Sequence, residues 1–105
     1  MSSRRRGQGY EREVAHDLAQ ELGIPFVRDL EQVRTAGRGD LITEPSFPFL
    51  IECKRRAKGF YSSAWMEQAE TVAKIQNKLP VVIFRFDHQK STVALPTYAV
   101  AALFG

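Results

Sequence analysis

The strongest constraint on the fold of this chain is a group of charged residues, two acids and a lysine. They lie inside segments that otherwise resemble buried strands. The stretch from Gly37 to Lys58 contains Asp40 behind a glycine, then a turn, then an apolar run that ends in Glu52 and Lys54. Burying such groups costs free energy unless they are paired or hold a metal ion. The stretch therefore predicts a fold that gathers these charges at one place.

Chain geometry indicates how they would meet. The segment is interpreted as an antiparallel hairpin, with strands over residues 40–43 and 47–54 and a turn over 44–46. Side chains alternate across a strand, so Glu52 and Lys54 share one face while Cys53 points to the other. The hairpin brings Asp40, at the start of one strand, beside the end of its partner. We therefore expect the two carboxylates to converge.

The remaining segments complete one α/β domain over residues 1–105, with a flexible basic tail over residues 1–6. Periodicity and Gly or Pro stops predict a helix over 7–22, a strand over 26–33, a glycine-containing loop over 35–39, a helix over 63–78 begun by Ser63, strands over 80–86 and 91–95, and a C-terminal helix over 98–104. The 80–86 strand is continuously apolar, which is typical of a central strand covered on both faces. The predicted fold is a single mixed five-stranded sheet flanked by helices.

Composition narrows the class of protein. The chain has one cysteine, which forms no internal disulfide, and no apolar run near the ~20 residues of a membrane span. A cytoplasmic location is expected, or the host-cell cytoplasm for a viral protein. Of the 15 Lys and Arg residues, 11 precede Phe60. This uneven charge favours a polyanionic partner, nucleic acid above all, rather than a membrane.

Asp40 and Glu52 are hard oxygen ligands of the kind that hold Mg²⁺ together with waters and phosphates. Lys54 would polarise an attacking water or neutralise phosphate charge. Glu11 projects from the edge of the first helix's apolar face; it is either an acid favoured by the helix dipole or an additional member of the site, acting through water. Gln68 is either a boundary residue of the second helix's apolar stripe or a group that orients water or contacts nucleic acid.

Basic residues surround this stretch and are expected to hold the DNA backbone. They are Arg34, Arg38, Arg55, Arg56 and Lys58, with Arg4, Arg5 and Arg6 as either a solvated tail or a phosphate-neutralising arm. Other chemistries fit less well. Cys53 has no spacing that ties it to His16 or His88 as a thiol nucleophile, four zinc ligands are lacking, and no Walker-type phosphate loop is present.

The pattern resembles the PD-(D/E)XK nuclease superfamily, whose signature is an acid on one strand and Glu-x-Lys on the next. The residues that carry the resemblance are Gly39-Asp40, Ile51-Glu52-Cys53-Lys54 and the opening Arg5-Arg6-Gly7…Glu11-Arg12-Glu13. The opening and the Lys54-Arg55-Arg56 run are similar to archaeal-type Holliday junction resolvases, and the virus-type replication-repair nuclease domain is a near relative in pattern. Gly39 stands where the family often has proline, and the C-terminal apolar helix has no aligned counterpart.

The resemblance implies a restriction-endonuclease-like α/β/α core, Mg²⁺ with Mn²⁺ as a substitute, no small-molecule cofactor and a homodimer. It also implies that Glu11 joins the catalytic residues Asp40, Glu52 and Lys54, and that the backbone carbonyl of Cys53 is a further metal ligand. The expected activity is a DNA endonuclease acting on branched DNA in recombination and repair. The alternatives are a nuclease for ordinary duplex or damaged DNA and a non-catalytic nucleic-acid-binding module.

Overall fold

The structure is a computed structural model that describes residues 3–30 and 39–105, with side chains from Gly7 onward. The elements in chain order are α1 (Ser3–Leu22), β1 (Val27–Arg28), β2 (Leu41–Ile42), β3 (Phe49–Arg56), α2 (Ser63–Gln76), β4 (Leu79–Phe86), β5 (Thr92–Ala94) and a C-terminal 3₁₀ helix (Thr97–Leu103). None of the described helices is long and apolar enough to cross a membrane.

Among the residues that the structure describes, the main sheet has three strands in the order β3-β4-β5. β3 runs parallel to β4 over their whole length, from Phe49 opposite Leu79 to Arg56 opposite Phe86, and β5 pairs antiparallel with β4. The predicted mixed α/β class is confirmed. The predicted single five-stranded sheet is wrong in its number of strands, because β1 and β2 form a separate two-stranded antiparallel sheet.

The predicted hairpin between residues 40–43 and 47–54 is also wrong. β2 pairs with β1, and one backbone hydrogen bond from Asp40 N to Ile51 O, at 3.1 Å, links its start to β3. Pro45 and Pro48 lie in the connection and have no N–H to donate to a ladder, so strand pairing does not extend through it. β3 accordingly begins at Phe49, after the second proline.

The two faces of the sheet pack against different helices. On the α1 face a buried cluster gathers side chains from α1, the segment before β1, β3, β4 and the C-terminal helix: Tyr10, Val14, Ala15, Phe26, Phe49, Ile51, Val81, Ile83 and Ala99. On the other face α2 packs on β3 and β4 through Ala69 and Ala73, beside the fully buried Val82. β4 is therefore the central strand and is covered on both faces, as predicted.

Several element boundaries differ from the predicted ones. α1 begins at Ser3 rather than Gly7, so the backbone of the first arginines is helical. Ser62 rather than Ser63 caps α2, accepting from the Ala64 N–H, and α2 ends at the left-handed Asn77. The small alanines of α2, Ala69 and Ala73, face the sheet, whereas Ile75 of the same helix is exposed.

Candidate active site

Asp40 is fixed by the backbone of β3. Its Oδ2 accepts a hydrogen bond from the Cys53 N–H at 2.6 Å, and its own N–H donates to Ile51 O. Gly39 makes this approach possible, because a Cβ at that position would lie 3.0 Å from Leu50 Cγ and 3.2 Å from Ile51 O. The lack of space for a Cβ is thus a structural reason for glycine at position 39, where the family often has proline.

Glu52 lies next to Asp40 and is more deeply buried, with 4 % of its surface exposed against 8 % for Asp40. Burial raises the pKa of Glu52 to about 8, and the charge of Asp40 and a hydrogen bond with its carboxyl add to the effect. Burial also raises the pKa of Asp40, while the Cys53 N–H opposes this rise. The chain therefore holds two carboxyl groups side by side in a place that disfavours their ionisation.

Lys54 extends from the same face of β3 and reaches α2. Its Nζ donates to Gln68 Oε1 at 2.8 Å. The positive charge of Lys54 lowers the pKa values of both carboxyls, although burial outweighs it. Gln68 therefore lies beside Lys54 and holds its ammonium, while the predicted role of Gln68 toward water or nucleic acid stays a prediction.

Glu11 reaches the same region from α1. Its negative charge contributes to raising the pKa values of Asp40 and Glu52, which places it among the acids of the site. Glu11 Oε2 accepts from Arg28 Nε at 2.8 Å, and both side chains are largely buried. Arg28 was not among the site residues predicted from the sequence. The available signal was its predicted position on the same face of the first strand as the apolar Phe26.

The donor set fits a small divalent cation. Within residues 3–30 and 39–105, no three or more His, Cys, Asp and Glu side chains form a ligand cluster. Two carboxylates remain, which is the usual protein contribution to Mg²⁺ when water and phosphate supply the other ligands. A cation would offset the unfavourable ionisation of Asp40 and Glu52 that burial imposes. The roles of Glu11 and of the Cys53 carbonyl as ligands stay predictions.

Cys53 belongs to the other side of β3. Its side chain packs against the α1-face core, and burial raises the pKa of its thiol well above the usual value. A buried, protonated thiol is a poor nucleophile. His88 lies in an exposed turn after β4, and His16 is exposed on α1. The site therefore offers carboxylate and ammonium chemistry rather than thiol chemistry.

The structure separates the predicted DNA-binding residues. Arg55 Nη2 forms an ion pair with Asp87 at 2.5 Å, and its side chain is 12 % exposed. Arg56 is exposed and lies over the Trp65 ring at 5.6 Å, and Lys58 is exposed in the following loop. The other predicted contacts lie outside the described side chains: Arg4, Arg5, Arg6, Arg34 and Arg38.

Comparison with known proteins assigns the chain to a family. A family model described as "Phage putative PDDEXK endonuclease" matches residues 2–103, nearly the whole chain. This chain belongs to that PD-(D/E)XK endonuclease family. The predicted membership of the PD-(D/E)XK superfamily is thereby confirmed, on a match that includes Asp40, Glu52 and Lys54. A search of curated proteins found no match.

A solved structure shows the same fold. The Holliday junction resolvase Hjc of Archaeoglobus fulgidus matches with a TM-score of 0.63 and 19 % sequence identity, over 86 % of this chain and 75 % of Hjc. At this identity the likeness establishes the fold of the PD-(D/E)XK endonuclease. It is the fold that the resemblance to archaeal-type resolvases implied.

Proposed function

We propose that this PD-(D/E)XK endonuclease hydrolyses DNA phosphodiester bonds with the help of Mg²⁺, which Mn²⁺ can replace. The observation that supports the proposal best is the convergence of Asp40 and Glu52. Both are buried beside Lys54. Burial raises the pKa values of both carboxyls, and the charge of Asp40 raises that of Glu52 further. A protein that has no use for a cation or a phosphate gains nothing from such an arrangement, because it destabilises the fold.

Asp40 and Glu52 would hold the cation, and the Cys53 N–H would keep the Asp40 carboxylate oriented. The bound cation would supply Lewis-acid stabilisation of the phosphate and a more acidic water at neutral pH. Lys54, oriented by Gln68, would place positive charge where negative charge develops on the phosphate. Glu11, held by Arg28, would accept a hydrogen bond from water at the outer edge of the site.

The structure of the preferred DNA is the next part of the proposal. We infer that it is branched, because the fold is that of a protein described as a Holliday junction resolvase and basic residues flank the site. A homodimer would present two sites to a four-way junction, which needs paired cuts. Action in recombination or repair, within the cytoplasm or host-cell cytoplasm, follows from the same inference.

A cleavage panel tests these proposals at separate levels. A four-way junction, a flap, a linear duplex and a single strand are incubated with Mg²⁺, Mn²⁺ or EDTA, and products are resolved on denaturing gels. We expect cleavage that EDTA stops and that is fastest on the junction. Equal cleavage of junction and duplex would refute the branched preference alone. No cleavage of any DNA with either metal would favour a non-catalytic binding module.

Asp40→Asn tests the site itself. The amide keeps the shape of the side chain but removes its charge, so cleavage should fall below detection while DNA binding in EDTA persists. Asp17→Asn, on the exposed face of α1, is the matched control and should leave cleavage unchanged. Retained cleavage in the Asp40 variant would remove this residue from the proposed mechanism. Sedimentation equilibrium would test the homodimer.

A further inference from the structure

The aromatic cluster formed by Tyr61, Trp65, Phe84 and Phe86 continues the face of the sheet that carries the carboxylates. Ring centroids lie between 5.3 and 6.1 Å apart across this cluster. Phe84 and Phe86 of β4 are the register partners of Lys54 and Arg56. The aromatic cluster and the candidate active site are therefore neighbours on one surface.

A row of side chains on β3 connects the two. Glu52, Lys54 and Arg56 alternate onto the same face, and the last two both reach α2, through Gln68 and the Trp65 ring respectively. Four residues of strand span about 13 Å, so Arg56 lies within a few nucleotides of a phosphate held at Glu52. A DNA strand at the active site would pass over or beside the aromatic cluster.

Phe60 is the most exposed of the large hydrophobic residues that the structure describes. Its side chain is 92 % exposed, although both chain neighbours are held in place. Gly59 adopts φ +128, a conformation that favours glycine, and Tyr61 packs edge-on against the Trp65 ring. Leaving a Phe ring in water forgoes about 2 kcal/mol of burial. The exposure of this ring on a constrained loop therefore favours a role in binding a ligand.

The charges beside Phe60 indicate the chemical class of that ligand. Arg56, stacked over Trp65, and Lys58 are both exposed on the segment leading to Phe60. Exposed aromatic rings interleaved with basic side chains are the recurring platform for unpaired nucleic acid, since rings stack on bases and cations meet phosphates. A purely apolar protein partner would not call for this charge.

We propose that Phe60 stacks on an unpaired nucleobase close to the scissile phosphate, with Arg56 and Lys58 contacting the adjoining backbone. This inference rests on the proposed DNA endonuclease function and adds the substrate feature that it would recognise. Bases are accessible for stacking at a branch point, flap, gap or single strand, whereas an intact duplex hides them between neighbouring pairs. The stacking site thus gives a physical reason for a preference for interrupted DNA.

The test compares binding of an intact labelled duplex with binding of the same duplex containing a short single-stranded gap. Anisotropy is measured in EDTA so that no cleavage occurs. The measured quantity is the ratio of the two affinities. We expect Phe60→Ala to lower the gap-over-duplex ratio by roughly 5- to 150-fold, which is the range for loss of one base–aromatic stack. Phe60→Trp should keep or raise the ratio.

Two further variants separate ring stacking from a general apolar contact at the protein surface. Phe104→Ala removes a ring that is equally open to solvent, 84 % exposed, and should leave the ratio unchanged. Phe60→Leu keeps an apolar side chain without a ring face, so it should behave like Phe60→Ala. A leucine variant that matches the wild type, or an alanine variant that matches Phe104→Ala, overturns the stacking site.

The outcomes also distinguish the inference from the function on which it depends. If the wild type binds and cuts DNA but the Phe60 variants keep its affinity ratio, the stacking site alone is wrong. If the wild type binds neither DNA, the proposed DNA endonuclease function fails, and the stacking site fails with it. Because Phe60 is so exposed, its substitution should leave the thermal unfolding midpoint unchanged, so lost binding reports on DNA contact rather than folding.

Discussion

Replacing Glu52 with glutamine should stabilise the metal-free protein at neutral pH. An unfolded glutamate ionises near pH 4.5, but burial and the charge of Asp40 raise the folded pKa of Glu52 to about 8. Between these values the native state holds more protons than the unfolded state, so stability falls as pH rises. Each pH unit in this range changes the free energy of unfolding by about 1.4 kcal/mol, which amounts to about 3 kcal/mol at pH 7.

Urea unfolding measures this cost directly. Trp65, the single tryptophan, lies within the aromatic cluster and provides a fluorescence signal. In EDTA, Glu52→Gln should exceed the wild type by about 3 kcal/mol at pH 7 and by little near pH 5. Glu44→Gln, in an exposed connection, is the matched control and should show no such difference. A wild type whose stability does not decline between pH 5 and 8 would refute the reasoning.

The same urea unfolding experiment, repeated with Mg²⁺, tests whether the two carboxylates bind the cation. A cation that binds the ionised carboxylates of the native state stabilises it by an amount that grows with its concentration over Kd. Mg²⁺ should therefore restore much of the stability that wild type loses toward pH 8. The gain should be much smaller in Glu52→Gln, which offers a neutral amide instead. Equal gains in both proteins would place the cation elsewhere.

Three other substitutions test the surroundings of the site. Arg55→Ala should lower the free energy of unfolding in urea by about 1–3 kcal/mol, because it breaks an ion pair whose arginine is largely buried. Arg56→Ala should leave stability unchanged and reduce the salt dependence of DNA binding by about one counterion. Gly39→Ala should slow cleavage by displacing the neighbouring acid, since its methyl group would meet a β3 backbone carbonyl; unchanged cleavage would show that the loop adjusts. Arg28→Ala should destabilise the fold near neutral pH and slow cleavage by releasing Glu11, with partial recovery in Arg28→Lys.

The convergence of Asp40 and Glu52 was predicted from the sequence for a reason that was only partly right. Asp40, Glu52 and Lys54 lie within 15 residues of each other, so local geometry strongly restricts where they go. The expected hairpin ladder does not form. In its place one main-chain hydrogen bond to Ile51 O and one side-chain bond from the Cys53 N–H hold Asp40 against β3. Short-range connectivity was sufficient to predict the convergence, but not the contacts that produce it.

The contacts between distant segments could not be predicted in this way. Glu11 and Arg28 form an ion pair between α1 and β1, which are joined by a loop, and Lys54 meets Gln68 across the face of the sheet. Periodicity assigns a residue to the face of its own element. It does not fix the rotation and height of one element against another, which are decided by packing of the whole core.

Strand alternation alone could have distinguished the two arginines that follow Lys54. Arg55 and Arg56 are adjacent, and both were expected to bind DNA. Neighbouring residues of a strand point to opposite faces, so the two could not serve the same role. Arg55 points away from the carboxylates and pairs with Asp87, whereas Arg56 shares their face and lies over Trp65. The proposed DNA path therefore follows the even-numbered side chains of β3, from the acids through Lys54 to the loop that presents Phe60.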